Sequence, residues 1–183
     1  PVDGYAYIIA DSNIVYKLAD TKLMWLYTNM KKLVPDVVID PRFTAISGIK
    51  VTAESGTYDL DVVTVTESVD TTEGNTEQVQ VTTAKYGDKE LDSDNFQVFY
   101  QNLCNMTNAG AVTEKASGKP VLTIELSYST GRANDVIEVY PTGNSKYIAN
   151  LNGKTTCLVY KSYCKDFSQC VQDLIKDRTV SSF

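Results

Sequence analysis

Apolar and polar positions alternate along much of the chain with the two-residue period of a half-buried β-strand. This alternation predicts two groups of strands. The first group covers residues 44–53, 58–67 and 77–86, with a polar hairpin loop over residues 70–75. The second is a meander over residues 121–128, 135–140, 146–150 and 156–161. Turn residues such as Asn152 and Gly153 separate the meander strands, as expected of antiparallel hairpins.

Other segments follow the helical period, with apolar residues three and four positions apart. They predict helices over residues 20–33, 93–106 and 163–176. Asp20 is placed to cap the first helix and Ser93 or Asp94 to cap the second, and Pro35 stops the first. Short strands in meander order with helices inserted at intervals indicate an α+β fold with antiparallel sheets.

The two ends of the chain resemble each other. Val15-Tyr16-Lys17 matches Val159-Tyr160-Lys161, and each lies in a predicted hairpin that precedes a predicted helix. The apolar residues that follow keep one constant offset; Leu23, Leu26, Tyr27 and Met30 fall on Phe167, Cys170, Val171 and Leu174. Such self-similarity predicts a duplicated unit. We therefore expect antiparallel β-meander sheets with three helices, built from a duplicated β-hairpin-plus-helix unit in which the second turn is the longer.

The same pattern divides the chain into three parts within one compact or two-lobed domain. Residues 1–36 are the tail of a first repeat, with hairpin and helix. Residues 37–106 hold the three-stranded segment and its helix, and residues 107–183 form the second repeat, the meander and closing helix. Because the chain starts inside a repeat and without Met, we expect any targeting or anchoring segment to lie upstream.

Composition excludes several classes of function. The net charge is −6 and the pI is about 4.7, which argues against binding a phosphate backbone. Histidine is absent, which removes the commonest general base and metal ligand. The four cysteines show no CxxC spacing; they are Cys104, Cys157, Cys164 and Cys170. We therefore expect no metal, no cofactor and no nucleic-acid partner.

The cysteines allow two interpretations. Cys170 falls on the apolar stripe of the last predicted helix, which favours a buried and inert thiol. In an extracellular protein, Cys157 and Cys164 could instead pair as their strand and helix pack together. Spacing does not decide between a free thiol and a disulfide.

Carboxylates are the one catalytic ingredient in good supply. Asp59 and Asp61 flank Leu60 and so share one face of a strand, while Glu125 and Glu138 lie on consecutive strands. They can mark the solvent face of a half-buried sheet or provide an acid–base pair, which needs a pocket. Six tyrosines can likewise pack on the sheet or line a sugar or peptide groove; they are Tyr58, Tyr86, Tyr128, Tyr140, Tyr147 and Tyr160.

Three stretches in order resemble a known family. They are the turn over residues 87–94 before the helix with Phe99 and Leu103, the meander over residues 120–140, and residues 147–161 with the closing helix. This order is similar to the bacterial family known as domain of unknown function 4340, which repeats such a turn and helix and then a meander, hairpin and helix. The first half-repeat is missing, and residues 150–153 replace a more charged hairpin.

The resemblance implies an envelope protein, single-pass or lipid-anchored, whose repeats face outside the cytoplasm, in some genomes near ABC-transport components. It implies no catalytic residue, because the family has none assigned. We therefore expect a non-catalytic extracytoplasmic binding or assembly module of the bacterial cell envelope. Its expected partners are envelope or ABC-transporter-associated proteins.

Two alternatives stay open. The first is a hydrolase or glycan-active enzyme that uses Asp59, Asp61, Glu125 or Glu138. Two carboxyl groups about 5 to 9.5 Å apart in a concave pocket would favour it. The second is a structural spacer that holds a membrane transport complex away from the bilayer.

Overall fold

The computed structural model of this chain describes residues 5–9, 15–19, 35–70 and 76–183. The chain divides into two compact units, Pro1–Pro35 and Asp36–Phe183. In the first unit, β1 (Tyr5–Ile9) pairs antiparallel with β2 (Val15–Ala19), as the predicted hairpin requires. The helix predicted over residues 20–33 lies outside the described residues.

The second unit is built on one antiparallel sheet of eight strands. Its strands are β3 (Ile46–Ala53), β4 (Gly56–Asp70), β5 (Thr76–Tyr86), β6 (Lys89–Glu90), β7 (Leu122–Tyr128), β8 (Asp135–Tyr140), β9 (Lys146–Leu151) and β10 (Lys154–Tyr160). Helix α1 (Ser93–Cys104) follows β6, and helix α2 (Lys161–Ile175) follows β10. Across the sheet the order is β10-β9-β8-β7-β3-β4-β5-β6. The strand and helix predictions for this unit are confirmed, with small shifts at the ends.

The predicted fold class is wrong, because this unit is dominated by a single sheet. Strand β3 pairs with β4 on one side and with β7 on the other. This pairing joins the two predicted groups of strands into one continuous sheet. The described residues contain two α-helices rather than the three expected. Both helices belong to the same hydrophobic core as the sheet.

The predicted duplication is not shown either, because the two hairpins differ in register. Tyr7 lies opposite Lys17 in the first hairpin, whereas Tyr147 lies opposite Val159, the counterpart of Val15, in the second. The counterpart of Lys17 is Lys161, which is the first residue of α2 and not part of a strand. The second hairpin also has the shorter turn, since Leu151 pairs directly with Lys154. A shared three-residue motif does not fix the register.

The core lies between one face of the sheet and the two helices. In β7 every second residue is buried; these are Leu122, Ile124, Leu126 and Tyr128. Helix α1 contributes Phe99 and α2 contributes Phe167, both fully buried, with ring centroids 5.3 Å apart. Tyr163 also stacks on Phe167, with ring centroids 5.6 Å apart. Aromatic side chains therefore fill the space between the helices.

The start of α1 is fixed by Asp92, which lies one residue before Ser93 and two before Asp94, the two caps that the sequence predicted. An oxygen of the Asp92 carboxylate accepts a hydrogen bond from the backbone N–H of Asn95 at 2.9 Å. Ser93 and Asp94 are already helical. The short strand β6 ends at Glu90, and Leu91 is buried, so the chain turns into the helix at Asp92.

Replacing Asp92 with alanine will lower the free energy of unfolding by about 1 kcal/mol, because an N–H of the first turn loses its acceptor. Urea unfolding followed by circular dichroism measures the loss. Asp94→Ala is the matched control, since it removes an exposed acid that acts only on the helix dipole, worth about 0.3 to 0.5 kcal/mol. Equal losses for the two variants would contradict the cap.

Candidate interaction surface

The first pair of candidate carboxylates lies on the exposed face of the sheet. Asp59 and Asp61 flank the fully buried Leu60 on β4, so the prediction that they share a face is confirmed. Lys50 of β3 lies opposite Asp59, and Lys85 of β5 lies opposite Asp61. Opposite charges across neighbouring strands stabilise such a face. This environment is that of an exposed sheet surface.

The second pair lies on the same side of the sheet but not directly across from each other. Glu125 lies opposite Val136, and Glu138 lies opposite Thr123. An oxygen of the Glu125 side chain accepts a hydrogen bond from the Asn134 amide at 3.0 Å. Both glutamates are half-buried. Neither glutamate lines one of the two surface cavities of this unit.

Two surface cavities lie elsewhere in the second unit. One, of about 170 Å³, is formed by the loop after α1 and by β9 and β10, and Glu114 is its carboxylate. The other, of about 190 Å³, lies where α1 ends and α2 begins, and Asp166 is its carboxylate. Each cavity therefore holds one carboxylate, and neither contains Asp59, Asp61, Glu125 or Glu138.

The tyrosines do not share one groove. Tyr128 and Tyr147 are buried in the core, whereas Tyr160 is 49% exposed beside the second cavity. Tyr58 and Tyr86 stand next to each other, with ring centroids 6.4 Å apart, and pack against the core. Tyr140 is half-buried beside Glu138. Packing on the sheet accounts for most of these rings.

The cysteines are free thiols in this structure, so Cys157 and Cys164 are not joined. Burial raises the pKa of Cys157 to about 11, that of Cys164 to about 12 and that of Cys170 to about 11. Since the thiolate is the nucleophile, such thiols are inert at neutral pH. Within the described part of the chain, no three Cys, Asp or Glu side chains come together to hold a metal ion.

Asp135, at the start of β8, is the one charged side chain that is buried among the described residues. Its carboxylate accepts hydrogen bonds from the Tyr128 hydroxyl at 2.6 Å, from Arg132 at 2.6 Å and from the Asn152 amide at 2.8 Å. Burial by itself would raise the pKa of Asp135. The hydrogen bonds from Tyr128 and Asn152 and the charge of Arg132 outweigh burial and lower that pKa below its usual value. Every partner comes from the protein, so this carboxylate ties two turns together.

Strands β4 and β5 continue beyond the rest of the sheet as a two-stranded extension. Strand β4 pairs with β3 only as far as Asp61, which lies opposite Gly48. Beyond that point it pairs with β5 alone, from Val62 opposite Ala84 to Asp70 opposite Thr76. We call residues 62–70 and 76–84 the arm. Valine and threonine, which favour strands, make up much of it.

One side of the arm is rich in exposed valine. The side chains on this side, which we call the valine face, are Val63, Val65, Glu67, Val69, Glu77, Val79, Val81 and Thr83. Four of the valines are between 42% and 51% exposed, namely Val63, Val65, Val69 and Val79. Single exposed apolar residues are normal on a protein surface, but a contiguous set on one face is typical of an interaction site.

The opposite side of the arm is polar and satisfied within the protein. The hydroxyl groups of Thr64 and Thr82 are hydrogen-bonded across the strands at 2.9 Å. The Gln78 amide donates to the Ser68 hydroxyl at 2.7 Å. Cross-strand pairs of this kind stabilise a ribbon without a core beneath it. Hydrogen bonds on the polar side therefore join the two strands of the arm. The four exposed valines of the opposite face are not part of the hydrophobic core of the described protein.

The two faces exchange character where the arm leaves the sheet. On the core side, the buried Leu60 and Val62 are followed by Thr64, and on the solvent side Asp61 is followed by Val63. The same inversion can be read in the sequence, where apolar positions of β4 change from even to odd numbers after Val62. Sequence reasoning noted these residues as strand-forming and missed the change of face.

Comparisons with protein-family models, with curated proteins and with solved structures find no match for this chain. The resemblance to the envelope family therefore stays a prediction. Among the described helices, none combines the length and the apolar character needed to cross a membrane.

Proposed function

We propose that the protein is a non-catalytic binding or assembly module that contacts a partner protein through the valine face of the arm. The observation that carries the proposal is the exposure of Val63, Val65, Val69 and Val79, each above 40%, on one side of a ribbon that extends beyond the sheet. Apolar surface is removed from water when a partner covers it, at roughly 25 cal/mol per Å².

Sequence pattern alone does not require valine on this face. Threonine has similar strand preference and would leave the ribbon equally well formed in water. Indeed threonine and glutamine fill the other face, at Thr64, Thr66, Gln80 and Thr82. Valine at the solvent-facing positions therefore serves something other than formation of the strands.

We place this activity outside the cytoplasm, at the bacterial cell envelope, on the basis of the family resemblance. The partners we propose are accordingly envelope proteins, including proteins associated with ABC transporters. The hydrolase alternative gains no support, because Asp59, Asp61, Glu125 and Glu138 do not line either of the two cavities described above. A passive spacer would not need an apolar face on the arm.

Photo-crosslinking in the cells that produce the protein tests the proposal. A benzophenone amino acid placed at Val65 or Val79 will form adducts with another protein, because both side chains lie on the valine face. The same amino acid at Thr66 or Gln80 is the matched control, since these exposed neighbours lie on the opposite face. Adducts are resolved on denaturing gels and identified by mass spectrometry.

Face-specific adducts of one protein would support the proposal. Equal adducts from the two faces, or none from Val65 and Val79, would contradict it. Adducts of the protein with itself would show that the valine face binds a second copy of the chain and not a different protein. Thermal unfolding of each variant checks that the arm positions, being exposed, tolerate the substitution.

A further inference from the structure

The arm carries negative charge, which favours a partner surface that is positively charged. The sequence of residues 62–84 contains four acidic residues, Glu67, Asp70, Glu73 and Glu77, and neither lysine nor arginine. Glu67 and Glu77 lie on the valine face, where Glu67 is opposite Val79 and Glu77 is opposite Val69. Both glutamates are exposed. Two negatively charged groups therefore lie among the valines in the half of the valine face that is nearer the loop.

Neither glutamate has a cationic partner in the described protein. The ion pairs among the described residues join Lys89 to Asp177, Arg132 to Asp135 and Arg178 to Asp173, all outside the arm. The first basic residue along β5 is Lys85, which follows the arm and lies opposite Asp61. Both carboxylates are thus available to a cationic group supplied from outside.

A second copy of the chain does not fit this surface. Two valine faces packed with the loop ends of the arms together would bring Glu67 and Glu77 of both copies into contact, and like charges in contact oppose association. Packed in the opposite direction, the two faces would leave these carboxylates without a cation, because residues 62–84 contain neither lysine nor arginine. The net charge of −6 adds to that repulsion at low ionic strength. The same charges oppose contact with an anionic membrane surface.

The dimensions of the arm match one helix. Val63 to Val69 is seven residues of strand, and the six steps between them span about 20 Å at about 3.3 Å per residue. A helix of about 14 residues has the same length at 1.5 Å per residue. Two strands about 4.8 Å apart give a face about 10 Å wide, which is the diameter of a helix with its side chains.

We infer that the valine face binds an amphipathic helix of a partner protein, with aliphatic residues on one side flanked by lysine or arginine. The aliphatic side chains pack on Val63, Val65 and Val79, and the cations lie over Glu67 and Glu77. This inference rests on the proposed function, since it names the chemistry of the same partner. Burial supplies the affinity, and the carboxylates select a basic helix over an acidic one.

Defined peptides test the inference on the whole chain. A fluorescein-labelled helical peptide of about 18 residues carries leucine on one face and lysine elsewhere, and its matched control carries glutamate in place of lysine. Fluorescence anisotropy at low peptide concentration measures binding at two salt concentrations. We expect the lysine peptide to bind more weakly at the higher salt, and the glutamate peptide not to bind.

Variants assign the binding to the valine face. Val65→Ser together with Val79→Ser will weaken binding of the lysine peptide at least tenfold. Glu67→Gln together with Glu77→Gln will weaken it several-fold and reduce its dependence on salt. Glu54→Gln together with Glu114→Gln is the control, because it removes the same charge from exposed positions outside the arm and will leave binding unchanged.

Three results would overturn the inference: equal binding of the two peptides, binding that the arm variants leave intact, or valine-dependent binding to phosphatidylcholine vesicles in place of the peptide. Failure of the peptide alone is distinguishable from failure of the proposed function. If Val65 and Val79 still cross-link in cells, only the chemistry of the partner is wrong. If the cross-links are also absent, both proposals fall.

Discussion

Replacing Phe167 with alanine will lower the free energy of unfolding of the second unit by about 3 to 5 kcal/mol, a large part of the stability of an ordinary domain. Phe167 is fully buried and stacks on both Phe99 and Tyr163. Truncation removes its transfer free energy and leaves a cavity in the core between the two helices. Urea unfolding monitored by circular dichroism measures the loss.

Phe183→Ala is the matched control for Phe167. Its ring also contacts Tyr163, at 5.8 Å, but it is 42% exposed. We expect this variant to lose less than about 1 kcal/mol, because much of the ring is already in water. A loss for Phe167→Ala no greater than that of the control would show that α2 is not packed on α1 as described.

Replacing Asp135 with alanine will destabilise the protein by about 2 to 3 kcal/mol near neutral pH. The buried Tyr128 hydroxyl and the Asn152 amide would both lose their acceptor. The ion pair with Arg132 contributes little to this loss, because the Arg132 side chain is 56% exposed and its charge is screened by water. Glu125→Ala, which breaks one hydrogen bond on the half-buried face, is the control and will cost less than about 1 kcal/mol.

The same carboxylate makes stability depend on pH. Since folding lowers the pKa of Asp135, its contribution is fully present above the pKa of the unfolded chain, about 3.9. It is lost as the pH falls from there through the lower pKa of the folded protein. The difference in the free energy of unfolding between the native protein and Asp135→Ala will therefore become smaller as the pH falls from 7 towards 2. A constant difference across that range would contradict the assignment.

Local patterns in the sequence predict the local structure well, because each depends on residues that are close along the chain. Alternation in β7 predicts which residues are buried, and the Asn152-Gly153 turn is confirmed between β9 and β10. Asn152 adopts a positive φ of 53°, which asparagine tolerates better than most residues. The cap of α1 falls one residue early, at Asp92, because Asp92, Ser93 and Asp94 all offer a suitable oxygen.

Long-range pairing is what the sequence does not predict. The residues of β3 and its sequence neighbours do not indicate that its second edge pairs with β7. This strand pairing joins the two predicted groups of strands into a single sheet. Register is equally non-local, and the shared Val-Tyr-Lys motif does not give the two hairpins the same register, so the duplication is not shown. The partners of Asp135 all lie within 17 residues of it along the chain, in two turns and at the end of a neighbouring strand, but no sequence pattern singles them out.

The sequence of β4 contains a pattern that indicates the valine face. Apolar residues in β4 fall on even positions up to Val62 and on odd positions from Val63 onward. A strand that belongs to one core keeps the same parity throughout. A break in parity without a bulge therefore indicates that a strand has left the core and turned its apolar side to something else.

The central position of β3 has a consequence for how the protein is made. Val51 pairs with Tyr58 within a few residues, but its other neighbour, Ile124, emerges from the ribosome about 70 residues later. During synthesis one edge of β3 stays open until β7 arrives, with the arm already formed at its side. Pairings so distant in sequence slow folding and favour aggregation of nascent chains. The order of synthesis therefore leaves one edge of β3 unpaired for longer than the strands of any hairpin in the meander.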